Sequence, residues 1–189
     1  MRTIFLFFCS IMTYIGYAQI PSREWQIETA TLAAPESLRA EATILGYDTN
    51  GKLIELRKGS NHLFCLADDP SKKGFSVSAY HRDLEPFMAR GRELQAEGKG
   101  FKEISDIRES ETKSGKLTIP QGSTLFVLTG EVEPETNKVT KTYLRYVVYI
   151  PFATQETTGL PLEPIAPGAP WIMDPGTHRA HIMINPAKN

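Results

Sequence analysis

Pro161 to Pro186 reads PLEPIAPGAPWIMDPGTHRAHIMINP, and the placing of this stretch decides the fold. It joins a proline-punctuated arm, an apolar Trp171-Ile172-Met173, a Pro175-Gly176 turn and a closing run from Ala180 to Ile184. Five prolines fall between Pro161 and Pro175. Proline lacks the N–H that a central ladder needs, so the arm should wrap the surface or lie at a sheet edge until Ala180. The closing run then returns as a strand to seal the core.

That strand needs a sheet to return to. Leu125 to Leu128 and Tyr143 to Ile150 are the most strand-like segments, and their apolar runs suit central strands covered on two faces. Their polar connector, Gly130 to Thr142, reads as an exposed loop. Further upstream, Ala42 to Tyr47 and Lys52 to Arg57 flank Asn50-Gly51, a pair that accepts the positive φ angles of a tight hairpin. His62 to Ala67 and Phe75 to Tyr80 follow across short polar turns, which predicts an antiparallel meander. Before the first strand, Glu24 to Ala33 reads as a short helix.

Between the two groups of strands the period changes from two to 3.6. Asp83 reads as an N-cap and Pro86 falls in the tolerated first turn. Leu84, Phe87, Met88, Gly91 and Leu94 share one helical face, and Gly98 and Gly100 end the helix. A second helix with the narrow stripe Phe101, Ile104 and Ile107 should lie at the surface and dissolve from Glu109 to Gly115. The expected architecture is one α+β domain over residues 19–189: an antiparallel β-sheet, two helices inserted after the fourth strand, and a proline-rich C-terminal arm ending in a strand.

The first residues carry an address rather than structure. Arg2 supplies a positive start, Ile4 to Tyr17 is apolar apart from Ser10 and Thr13, and Gly16-Tyr17-Ala18 offers small residues where a signal peptidase reads. The expectation is a signal peptide over residues 1–18, cleaved after Ala18, and a periplasmic or secreted mature chain. A membrane span needs about 20 apolar residues, and this run is shorter, so no integral membrane anchor is expected. Cleavage would remove Cys9 and leave Cys65 as the single thiol, which in an oxidising compartment reads as a buried small hydrophobe. Removing Arg2 leaves 20 basic against 22 acidic residues, a formal charge of −2, which points away from nucleic acid as a partner.

Two blocks resemble a known pattern. Tyr80-His81-Arg82-Asp83-Leu84-Glu85-Pro86-Phe87-Met88-Ala89-Arg90-Gly91, then Pro170-Trp171-Ile172-Met173-Asp174-Pro175-Gly176-Thr177 and Ala180-His181-Ile182-Met183-Ile184, resemble an uncharacterised family of secreted bacterial proteins. The resemblance implies a shared fold and export, and transfers no activity. The family pattern often has proline where this chain carries His178, whereas His181 fits it, so the resemblance separates the two histidines.

The candidate site residues follow from residue chemistry. His62, Cys65, His81, His178 and His181 are the ligand types that zinc or copper prefers, although His62 and Cys65 on one strand would face opposite ways. A metal set of His81, His178 and His181 is therefore one candidate. A ligand-binding set of His81, Glu85, Trp171, His178 and His181 is the other, with the arm and the helix after His81 forming its surface. No G-x-S-x-G, H-E-x-x-H, Walker loop or dinucleotide glycine pattern occurs, so no catalytic residue is named. The functional expectation is a non-catalytic module binding a small ligand or an envelope protein. A metal-dependent protein or enzyme centred on His181 is the alternative.

Overall fold

A computed structural model describes residues 20–187. The expected signal peptide and its expected cleavage after Ala18 lie outside the described residues. Helix α1 (Arg23–Ala30) and a 3-10 turn (Thr31–Ala33) precede strands β1 (Thr43–Tyr47), β2 (Leu53–Arg57), β3 (Leu63–Leu66) and β4 (Phe75–His81). Helices α2 (Glu85–Ala96) and α3 (Phe101–Lys113) come next, then β5 (Thr124–Val132), β6 (Val139–Tyr149), the short α4 (Gln155–Thr158), β7 (Pro170–Met173) and β8 (His181–Ile184). All eight strands form one sheet in the order β2-β1-β3-β4-β5-β6-β8-β7. The α+β class, the two inserted helices and the returning C-terminal strand are all present.

The meander expected of the first four strands is not. β3 leaves β2 and pairs with the far side of β1, in parallel, with Ile44 opposite Cys65. Gly59 makes this crossing possible. A Cβ there would stand 2.3 Å from the Ala42 carbonyl carbon and from the Glu41 oxygen, so only a residue without a side chain passes so close to the start of β1. The crossing is then fixed by the Ser60 and Asn61 amides, both donating to the Glu41 carbonyl at 2.9 and 3.0 Å. The β1–β2 hairpin itself forms as expected, but Gly51 alone takes positive φ, at 74°. Asp48 closes a longer loop, its carboxylate accepting from the Asn50 and Lys52 amides.

Three boundaries also differ. Gly130 to Thr142 is mostly strand, because β5 and β6 run on as a ribbon with Glu131 opposite Thr140 and Val132 opposite Val139. Polar side chains argue against burial there, not against pairing, and residues 131–138 are exposed. Asp83 does not cap α2: a 3-10 turn (Arg82–Leu84) intervenes, and its amide at Asp83 donates to the His81 ring instead. Helix α3 continues to Lys113, braced by Lys102–Asp106 and Lys113–Glu109 pairs one turn apart.

Alternation along each strand sorts side chains onto two faces. On one, α1 and the 3-10 turn pack against Ile44, Leu63, Cys65, Phe75, Val77 and Ala79, with six alanines in the cluster allowing close approach. Gln26 is buried in this layer and its amide bonds both backbone groups of Tyr47, at 2.7 Å to N and 3.0 Å to O. On the other face, Leu84 from the turn before α2 and Phe87 from α2 pack with Tyr80, Leu125, Val147 and Tyr149, and α2 also buries Leu94. The helical stripe read from sequence is the one that is buried, each large side chain contributing about 1.5–3 kcal/mol.

The C-terminal stretch reaches the edge first and then turns inward. β7 is the outermost strand and β8 lies between it and β6, with Tyr149 opposite His181. The outer side of β7 offers little to a further strand, since Pro170 has no N–H and the Ile172 amide is already bound to the Pro161 carbonyl at 2.9 Å.

Candidate functional site

The three sequence-named histidines do not converge on one site. His181 and His178 come together beneath α2 and α3, whereas His81 ends β4, three strand spacings from β8, roughly 14 Å. Strand alternation also sends His81 to the α1 side of the sheet, where its ring lies 5.1 Å from that of His62. His81, His178 and His181 are therefore not a chelating set. No group of three or more His, Cys, Asp or Glu is placed to hold a metal ion among the described residues.

His178 and His181 belong to a buried cluster. His178 is fully buried, with Nδ1 donating to the Glu109 carboxylate at 3.2 Å and no hydrogen-bond partner at Nε2 among the described residues. Its ring stands edge-on to Phe87, which meets Tyr149 in the same manner at 5.7 Å. His181, 6 % exposed, donates from Nδ1 to the Arg179 carbonyl at 2.6 Å. Burial pulls both imidazoles below their ordinary pKa, against the opposing pull of Glu109 on His178 and of the Arg179 carbonyl on His181. Both are neutral at pH 7.

Arg108 completes the cluster. Its guanidinium lies 4.0 Å over the Phe87 ring, donates to the Phe87 carbonyl at 3.2 Å, and is drawn down to about 10 chiefly by burial. Gly91 leaves room for it, since a Cβ there would fall 2.9 Å from the guanidinium. With α2 and α3 closed over it, this cluster fastens the helices to the β6–β8 region. Trp171 sits outside the cluster on β7 opposite Met183, its indole N–H buried without a partner among the described residues.

A more open site lies on the same face, nearer β1. A cleft of about 340 Å³ runs between α2 and strands β1, β3, β4 and β5. Its floor is apolar: Leu66, Leu125 and Val127 from the sheet and Met88 from the helix. Met88, Arg92 and Gln95 recur at i, i+4 and i+7, so one stripe of α2 overhangs it. Asp68, Asp69, Lys72 and Lys73, from the loop after β3, form its charged mouth.

Arg92 is the best-positioned charge. Glu85, two turns earlier on the same helical face, pairs with its guanidinium, and the Tyr80 hydroxyl bonds both, donating to Glu85 at 2.6 Å and accepting from Arg92 at 3.3 Å. Glu85, a member of the candidate ligand-binding set, pairs with Arg92 and accepts from Tyr80. Asp68 is raised by burial, partly offset by the Ser76 amide donating to it at 2.8 Å. Asp69, although burial pushes it up, is held below its ordinary value by Ser71 and Lys72. The Tyr47 phenol is pushed up to about 12, first by burial and then by Asp69, so it enters the cleft as a hydrogen-bond donor.

The proline arm forms a separate groove of about 490 Å³ with Tyr143, Ile165 and Pro186 among its walls and no charged side chain. It does not share a wall with α2, so the single surface expected from arm and helix is two surfaces. Sequence reading missed Asp68, Lys73 and Arg92 because loop and helix-flank charges look solvated in one dimension. The Glu85-to-Arg92 spacing was the available signal.

No helix among the described residues is long and apolar enough to cross a membrane. Comparison of the chain with protein-family models, with curated proteins and with solved structures gave no match.

Proposed function

We propose that this is a non-catalytic binding module of the periplasm or the secreted fraction, taking a small ligand into the cleft beneath α2. The observation that carries the reading is Arg92: a guanidinium fixed by Glu85 and Tyr80 at the wall of a 340 Å³ cleft with an apolar floor. Small-ligand sites commonly combine that size, apolar lining and a few fixed polar groups. The non-catalytic half is supported by the thiol, since Cys65 is buried and pushed up to about 12 by that burial, which keeps it protonated. Export is supported by the apolar run from Ile4 to Tyr17 and the Gly16-Tyr17-Ala18 pattern.

A thermal-shift screen of the mature chain against small amphiphiles tests the binding reading. A true ligand at a hundredfold excess over its Kd adds about 2.7 kcal/mol of stability. Gln95→Trp, which places an indole on the rim from an exposed position, and Arg92→Met should each abolish the shift while leaving circular dichroism unchanged. A shift that survives both variants places the ligand elsewhere. Mass spectrometry of the exported protein tests the address: a chain beginning at Gln19 is expected, and retention of residues 1–18 in the cytoplasm overturns it.

A further inference from the structure

The charges around the cleft do not all cancel. Lys72 and Asp69 pair with each other at 3.2 Å, and Arg92 pairs with Glu85. Asp68 and Lys73 are left over: both line the cleft, and neither has an ion-pair partner among the described residues. Asp68 is not idle surface, because it is half-buried and already held by the Ser76 amide. A half-buried carboxylate and a free ammonium in one cleft, with Leu66, Met88, Leu125 and Val127 as apolar floor, define a complementary ligand. Such a molecule brings a cation to Asp68, an anion to Lys73 and an apolar body to the floor.

We infer that the cleft takes a zwitterion with an apolar side chain, namely a free amino acid or a dipeptide. This rests on the cleft being the binding site. The ligand's ammonium donates to Asp68 and its carboxylate accepts from Lys73, while Arg92, held in plane by Glu85 and Tyr80, lines the wall beside them. Tyr47, protonated at any physiological pH, is the available donor to a ligand carbonyl. Burial raises the energy of an unpaired Asp68 carboxylate, and an arriving ammonium relieves it.

Isothermal titration of the mature chain with L-leucine and L-leucyl-L-leucine, against N-acetyl-leucyl-leucine and leucyl-leucinamide, tests this. The zwitterions should bind at least about tenfold more tightly than either blocked compound, the scale of one lost charge-assisted hydrogen bond. Asp68→Asn should weaken the dipeptide and leave its N-acetyl form unchanged. Lys73→Met should weaken the dipeptide and leave its amide unchanged. Equal binding of blocked and free forms, displaced by Gln95→Trp, overturns the zwitterion and leaves the cleft reading standing. If neither zwitterions nor blocked forms bind, and an apolar probe such as anilinonaphthalene sulfonate is also indifferent to Gln95→Trp, both fall together.

Discussion

The two faces of the sheet are built from different materials. Beneath α1 the layer is alanine-rich, and its buried polar side chains, Gln26, Thr29 and Thr31, are neutral. Beneath α2 and α3 the layer holds Tyr80, Tyr149, His178, His181 and the Arg108 guanidinium. A face made only to stay together needs small, neutral, close-fitting groups. The second face buries ionisable groups at a cost in desolvation, and the cleft opens from that face.

The contrast can be broken in order of size. Phe87→Ala removes the ring against which Arg108, Tyr149 and His178 all pack, and should cost about 3–5 kcal/mol in urea unfolding, the range for a buried aromatic. On the opposite face, Ala79→Leu at a fully buried position should cost about 1–3 kcal/mol by overpacking. The decisive difference is that Ala79→Leu should shift stability equally at every pH, whereas Phe87→Ala should also change its pH dependence.

That pH dependence has a definite sign. His178 and His181 have folded pKa values below 6.5, so below that pH the unfolded chain binds more protons than the folded one. Stability is full above about pH 6.5 and falls as pH drops toward the folded values, by at most about 1.4 kcal/mol per pH unit for each imidazole. Unfolding midpoints between pH 7 and 5 measure it, and His178→Gln should flatten the slope. A slope unchanged by that substitution would assign the acid sensitivity to other groups.

The smallest expected effect is Gly91→Ala. Alanine is the better helix former by about 1 kcal/mol, yet its methyl displaces the Arg108 head, which is the movable end of a side chain. The two nearly offset, so a net loss below about 1 kcal/mol is expected from denaturant melts. A clear gain would mean that the Arg108 seat on Phe87 matters little.

Much of the fold was legible from residue order. Period-two runs located β1 to β4, the Leu84-Phe87-Leu94 spacing located the buried face of α2, and the prolines placed the arm at an edge. The Gly59 crossing was not, because Lys58-Gly59-Ser60-Asn61 has the composition of an ordinary turn, and only the nearness of the Glu41–Thr43 backbone explains the glycine. The ribbon of β5 and β6 was missed because hydrophobicity reports burial, while pairing through Glu131 and Thr140 needs none. Of the candidate site, Glu85 was named without Arg92. What binds Glu85 to Arg92 and Tyr80 is a three-way meeting of strand and helix that no single stretch of sequence contains.

Pro170 and the Pro161 carbonyl have an effect beyond this chain. With the outer rim of β7 bearing one missing and one occupied donor, the ladder cannot be extended from that side. Any neighbour recruited by backbone bonding would have to approach along β2, where a bulge at Leu56 and the Arg23 head on the Leu56 carbonyl disturb the register. Crowded among other chains, the molecule meets them through side chains rather than by lending its sheet.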